Sequence, residues 1–170
     1  MLYLNKLLSI FFLLAFFTSS SYSNETVAYI DIDFIIKNSN IGKKLLEKID
    51  NLNIKNIDDL KKKEKKLKDL ELEITNKKNI ISEDAFDNEV KIFKSKASKF
   101  KLEQKQIVKN FNNYQKKEIE NLFKIISPII NSYMEKNSLK ILFDSKKIFM
   151  ARNDLNLTND LLDVINKEAK

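Results

Sequence analysis

The sequence predicts an α+β fold, mainly α, in which a long antiparallel coiled-coil helical hairpin stands on a small β-rich body. Phe86, Val90, Phe93, Ala97, Phe100, Gln104, Ile107, Phe111 and Tyr114 step by four and three without a slip, the spacing of a coiled-coil seam. Upstream, Leu60, Leu67, Leu70, Ile74 and Ile81 follow the same rhythm, with Lys63 and Lys77 at the intervening steps. Strand-like runs lie near both chain ends, Val27 to Asp33 and Leu139 to Phe143, so a body that closes must pair segments far apart in sequence.

Residues 1–23 read as a secretory signal peptide. Lys6 supplies a positive start, Leu7 to Phe17 an apolar stretch, and Ser21 and Ser23 the small residues of a cleavage site, placing the cut between Ser23 and Asn24. The apolar stretch falls short of the roughly 20 residues that span a bilayer. The absence of cysteine removes lipid modification at that position, disulfides and thiol chemistry, and the absence of histidine removes most zinc and haem sites. No cofactor is expected. With no covalent staples, stability must come from packing, including packing between chains. The formal net charge of +7 comes almost entirely from lysine, Arg152 being the single arginine. Such a surface favours anionic partners, and anionic lipid or lipopolysaccharide is one candidate. Nucleic acid is not expected, because the chain is exported and lacks an arginine set for reading bases or gripping phosphates.

Val27 to Asp33 alternates as a strand, with Asp31 and Asp33 on one face. Phe34 to Ile49 suggests two short helical pieces joined between Asn38 and Gly42, the only glycine. Asn51, Asn53 and Asn56 loosen the pattern and are expected to interrupt the ascending helix, which then runs over 58–79. Glu64 and Lys68, and Glu73 and Lys77, are i,i+4 pairs in the favourable order. Ser82 is a good N-cap, Glu83 and Asp84 put negative charge on the next first turn, and Ile81 and Phe86 stand at the positions of a hydrophobic staple. Only Asn79 to Ser82 separate the two helices, too little chain for a parallel return, so they fold back on each other. The second helix runs from Glu83 to about Lys136, with Pro128 expected to kink or break it. Leu139 to Phe143 and Lys147 to Met150 look like a β-hairpin about Asp144, Ser145 and Lys146, and Thr158 is expected to cap a last helix over 159–167.

Four segments follow: the signal peptide 1–23; 24–50, the first strand and short helices of the body; 51–127, the hairpin with its turn near 79–82; and 128–170, the base of the long helix, two strands and the C-terminal helix. The residues expected to form the hairpin seam are Leu60, Leu67, Leu70, Ile74, Phe86, Val90, Phe93, Phe100, Ile107 and Phe111. Val27, Tyr29, Ile141 and Phe143 are expected at the core of the body or of the trimer it forms. Two or three short strands make a marginal core alone, which asks for oligomerisation.

Catalysis finds no support. One glycine cannot build a phosphate loop, and Asp31 with Asp33, or Asp58 with Asp59, is explained by strand alternation or helix starts. Asn24-Glu25-Thr26 and Asn156-Leu157-Thr158 match the glycosylation sequon, a weak pattern here because Thr158 is better explained as a cap.

Val27-Ala28-Tyr29-Ile30-Asp31, Ile41-Gly42-Lys43-Lys44, the turn Ile81-Ser82-Glu83-Asp84-Ala85, Ser127-Pro128-Ile129, Ile141-Leu142-Phe143-Asp144 and Asp154-Leu155-Asn156-Leu157-Thr158, in that order and behind an export signal, resemble the Skp/OmpH family over residues 25–167. The resemblance implies a periplasmic homotrimer with a β-rich trimerisation body and three projecting hairpins. It implies an ATP-independent holdase chaperone whose partners are unfolded outer-membrane β-barrel proteins, held by a diffuse surface with no catalytic residues. The alternative is a structural coiled-coil spacer or adaptor of the cell envelope.

Overall fold

The computed structural model describes residues 26–169; the expected cleavage site at Ser23 and Asn24 lies outside them. Strand β1 (Thr26–Ile30) leads into a short helix α1 (Ile32–Asn38), which hands over at one residue to α2 (Asn40–Lys77). After a tight turn the chain returns as α3 (Glu83–Lys136) and enters β2 (Leu139–Asp144). Two 3-10 turns, Ser145–Lys147 and Asn153–Leu155, lead to α4 (Thr158–Glu168). β1 and β2 pair in parallel, Val27 opposite Ile141 and Tyr29 opposite Phe143, so the whole hairpin is inserted between two adjacent strands. The expected union of the chain ends in one sheet is therefore present.

Several local expectations are corrected. β1 stops at Ile30 rather than Asp33, because the Asp31 carboxylate accepts a hydrogen bond from the Phe34 amide (2.9 Å) and starts α1. The joint expected across Asn38 to Gly42 is the single residue Ser39. Its extended backbone ends α1, and its hydroxyl accepts from the Gly42 amide (3.1 Å) to start α2. Gly42 is required there: an added Cβ would run into the Ile36 carbonyl and stand 2.7 Å from the Ser39 hydroxyl. The Asn-rich stretch does not interrupt α2, which starts at Asn40 rather than near 58. Asn53 and Asn56 are half-buried in it, and packing against α3 overrides their weak helix propensity.

The turn is close to its expected form. The Ile80 and Ile81 amides donate to the Lys77 carbonyl, and the Ser82 hydroxyl caps α3 at the Ala85 amide (3.4 Å). α3 runs unbroken through Pro128. That residue is exposed, so the Lys124 carbonyl that loses its amide partner can turn to water. α3 ends with Asn137 and then Ser138 at φ 54°, a left-handed position usually given to glycine.

Lys147 to Met150 forms no strand. Asp144 accepts from the Lys146 amide (3.2 Å) and turns the chain into a 3-10 turn, whose Ile148 amide bonds back to Ser145 instead of to β2. Nor does Thr158 cap α4 with its hydroxyl. The side chain is buried, donates to Asn156 Oδ1 (2.6 Å) and accepts from the Asp31 amide (2.9 Å), tying α4 to the end of β1.

The core sits where the hairpin meets the body. Ile30, Ile35, Leu45, Ile49, Leu122, Ile126, Leu161 and Ile165 form one buried cluster contributed by β1 and all four helices. The Asn40 amide, exposed at the start of α2, donates to Asn166 Oδ1 of α4 (2.7 Å), so the last helix holds the base of the arm.

Candidate interaction surface

A two-stranded sheet has two faces, and here only one is covered. Ala28 and Ile30 of β1 are buried and Leu142 of β2 packs against the helical core. The alternate residues Val27 and Tyr29 are half-buried, while Ile141 and Phe143 keep 44% and 45% of their surface in water. The period of two in a strand puts these four on the face turned away from the helices. Met150, 82% exposed, stands beside it on the loop, and the preceding Phe149 is 100% exposed. A cavity of about 400 Å³ is lined by Val27, Tyr29, Phe143, Ile148, Met150 and Leu155. Apolar residues left uncovered together on one chain mark an interaction surface. Of the residues expected in the core of the body or its trimer, Val27 and Tyr29 are partly covered in the single chain, and Ile141 and Phe143 are exposed in it.

The arm presents a different surface. Ile74 is buried, and Leu60, Leu67, Leu70, Phe86, Val90, Phe93, Phe100, Ile107 and Phe111 are half-buried along the contact between α2 and α3. Lys63 pairs with Glu103 across the two helices, and Lys77 lies between Glu73 (2.7 Å) and Glu89 (3.2 Å). Donating hydrogen bonds to both carboxylates raises the Lys77 pKa, and accepting one from Lys77 lowers that of Glu73. All these groups meet water, so their contribution is small. At the base, Lys146 bonds Asp33 at the start of α1. That hydrogen bond, with the charge of Lys146, holds the Asp33 carboxyl below its ordinary range.

Phe149, Met150, the Asp33–Lys146 pair and the Ser39–Gly42 joint were not singled out as site residues by sequence reasoning. Ile148, Phe149 and Met150 are legible as an apolar run, but nothing in it signals which residues a single chain leaves uncovered. Asp31 and Asp33, side by side on a strand in the sequence reading, separate into a helix cap and an ion-pair partner. Among the described residues, no group of His, Cys, Asp and Glu side chains gathers as a metal site, and no helix is long and apolar enough to cross a membrane.

The profile of the outer membrane protein (OmpH-like) family matches residues 26–165. The chain belongs to the OmpH-like family. A crystal structure described as that of a candidate outer membrane chaperone (OmpH-like) from Caulobacter crescentus superposes with a TM-score of 0.76 at 14% identity, covering 84% of each chain. At that identity the likeness speaks for the fold, a long helical hairpin on a small sheet-containing base. No curated protein matches the sequence.

Proposed function

We propose that this OmpH-like protein is an ATP-independent periplasmic holdase chaperone that binds unfolded outer-membrane β-barrel proteins and prevents their aggregation. The observation that carries the reading is the pairing of an uncovered apolar sheet face with a projecting arm in a chain whose family match spans nearly all of its described length. In this reading, Val27, Tyr29, Ile141 and Phe143 pack against the same face of neighbouring copies in a homotrimer. Three arms then enclose a space in which a client is kept from other unfolded chains. α2 holds 38 residues and α3 holds 54, so α2 alone rises about 57 Å at 1.5 Å per residue. That is long enough to wall off an unfolded segment. Lysine-rich arm surfaces attract acidic stretches of the client over about 8 to 10 Å at ordinary salt. Release needs no nucleotide if each contact is weak and exchangeable.

The chaperone acts in the periplasm after cleavage between Ser23 and Asn24, and its basic surface also suits anionic lipid or lipopolysaccharide. The deciding experiment is size-exclusion chromatography with light scattering on residues 24–170, alone and after a urea-unfolded outer-membrane barrel protein is diluted into them. A trimeric mass that rises by one client is expected. A particle of unchanged mass beside a precipitated client would overturn the reading and leave the envelope spacer.

A further inference from the structure

Five exposed aliphatic residues gather on one flank of the lower half of the arm. The Lys63–Glu103 and Lys77–Glu89 pairs mark the antiparallel register, in which Ile57 of α2 lies level with Val108 of α3 and Leu46 level with Ile119. With the seam residues at heptad positions a and d, Ile57 and Val108 both fall at e, and Ile54 and Ile119 both fall at b. In an antiparallel pair the e positions of the two helices border the same flank. Leu46 belongs to that side, one residue and hence about 100° around the helix from buried Leu45. The opposite flank is built differently: there Lys44, Lys48, Glu118 and Asn121 rim a cleft over Leu45 and Leu122, and the exposed Ile125 stands among these polar groups. Leu72 and Leu102, also exposed, fall at f positions on the back of the arm.

We propose that this strip is where the arm holds its client, and that it selects an extended segment alternating apolar with polar residues and carrying carboxylates. The proposal rests on the holdase reading above and supplies its binding surface. From Leu46 to Ile57 the strip rises about 16 Å, the length of about five residues of extended chain. Every second side chain of such a segment faces the strip, which is the pattern of a β-barrel strand. The charges beside the strip are unequal. α3 brings Lys101, Lys105 and Lys109, the last two lining a groove with Val108 and Asn112, whereas α2 mixes Lys43 and Lys61 with Glu47, Asp50 and Asp58. A client's carboxylates therefore lie over α3, so the strip orients the segment as well as holding it.

The absence of cysteine permits a direct test. Ile57→Cys, Val108→Cys, Leu72→Cys and Leu102→Cys, each made singly in the mature protein, carry one photocrosslinker apiece. A urea-unfolded outer-membrane barrel protein is then diluted into each. Crosslinking from positions 57 and 108 several-fold above that from 72 and 102 is expected; equal or reversed yields overturn the strip. The triple variant Ile54→Gln, Ile57→Gln, Val108→Gln should bind the client about tenfold more weakly, and Leu72→Gln with Leu102→Gln should stay close to the parent. Crosslinks at 57 and 108 that join two copies and do not change when client is added overturn the proposal in favour of an interface between copies. A parent protein that leaves the client to aggregate fails differently, because it overturns the holdase reading itself.

Discussion

In the body, Leu161 and Ile165 of α4 lie at 0% exposure against α1, α2 and α3, and the joint at Ser39 is buried with its hydrogen bond made. Along the arm, between Ile49 and Leu122, Ile74 alone among the described residues reaches the same class of burial. The rest of the seam keeps part of its surface in water. Two helices can cover each other only along one stripe, so an arm of this kind gains many partial contacts and few complete ones. The body instead concentrates its specificity in a handful of fully enclosed positions. A holding surface benefits from the first arrangement, since half-covered aliphatic residues remain available to a guest.

The largest expected effect tests whether the arm's partial contacts still act as a core. Replacing both Phe93 and Phe100 by Asp removes two rings from the seam and places two carboxylates there, a cost of about 4 kcal/mol together. Circular dichroism should show lost helix content while the body stays folded; unchanged helicity would mean that the seam residues do not hold the arm together. Gly42→Ala probes the other region. Its added methyl meets the Ile36 carbonyl, and separating α1 from α2 should cost about 3 kcal/mol. Thermal unfolding of the body should move down accordingly. An equal effect from Ala97→Gly on the arm would erase the contrast between a joint with no slack and a repetitive seam.

The same contrast explains what was legible in the sequence. The arm repeats one signal many times, so its seam, turn and antiparallel return could be read from Phe86 to Tyr114 and from Ser82, Glu83 and Asp84. The body is built from single events with competing local readings. Asp31 extends an alternating strand as naturally as it caps a helix, and the cap wins because Thr158, 127 residues away, takes the Asp31 amide. Asn53 and Asn56 look like a break because their side chains favour turns, yet both sit on the covered side of α2. Lys147 to Met150 has the composition of a strand, but Asp144 diverts the chain before it can pair. The strip on the lower arm escaped the sequence reading because it needs the register between α2 and α3 as well as the periodicity of each.

A smaller effect of opposite sign is expected where the arm re-enters the body. Ser138 occupies the left-handed position after α3, which costs a residue with a Cβ about 1 kcal/mol relative to glycine. Ser138→Gly should therefore raise the body's melting temperature by a few degrees without altering the arm's helix content. A variant no more stable than the parent would show that the added freedom of the unfolded chain cancels the relief.

The smallest effect belongs to the Asp33–Lys146 pair, which ties the start of α1 to the turn after β2. The Lys146 hydrogen bond, then its charge, hold the Asp33 pKa below its usual 3.8, and Asp33 raises that of Lys146 above its usual 10.5. A carboxyl depressed on folding contributes stability above its unfolded pKa and loses it as the pH falls through the lower folded value. An amine raised on folding contributes below its unfolded pKa and loses it as the pH rises through the higher one. The pair is thus constant across neutral pH and fades only at the two extremes. Both groups are exposed, so salt screens them and the gain is slight. Unfolding measured for the parent and Asp33→Asn should differ by a small, steady amount at neutral pH, and the two should converge as the pH drops below 3.8. Were the difference to persist in acid, the packing of Asp33 at the first turn of α1, and not its charge, would be what joins the two chain ends.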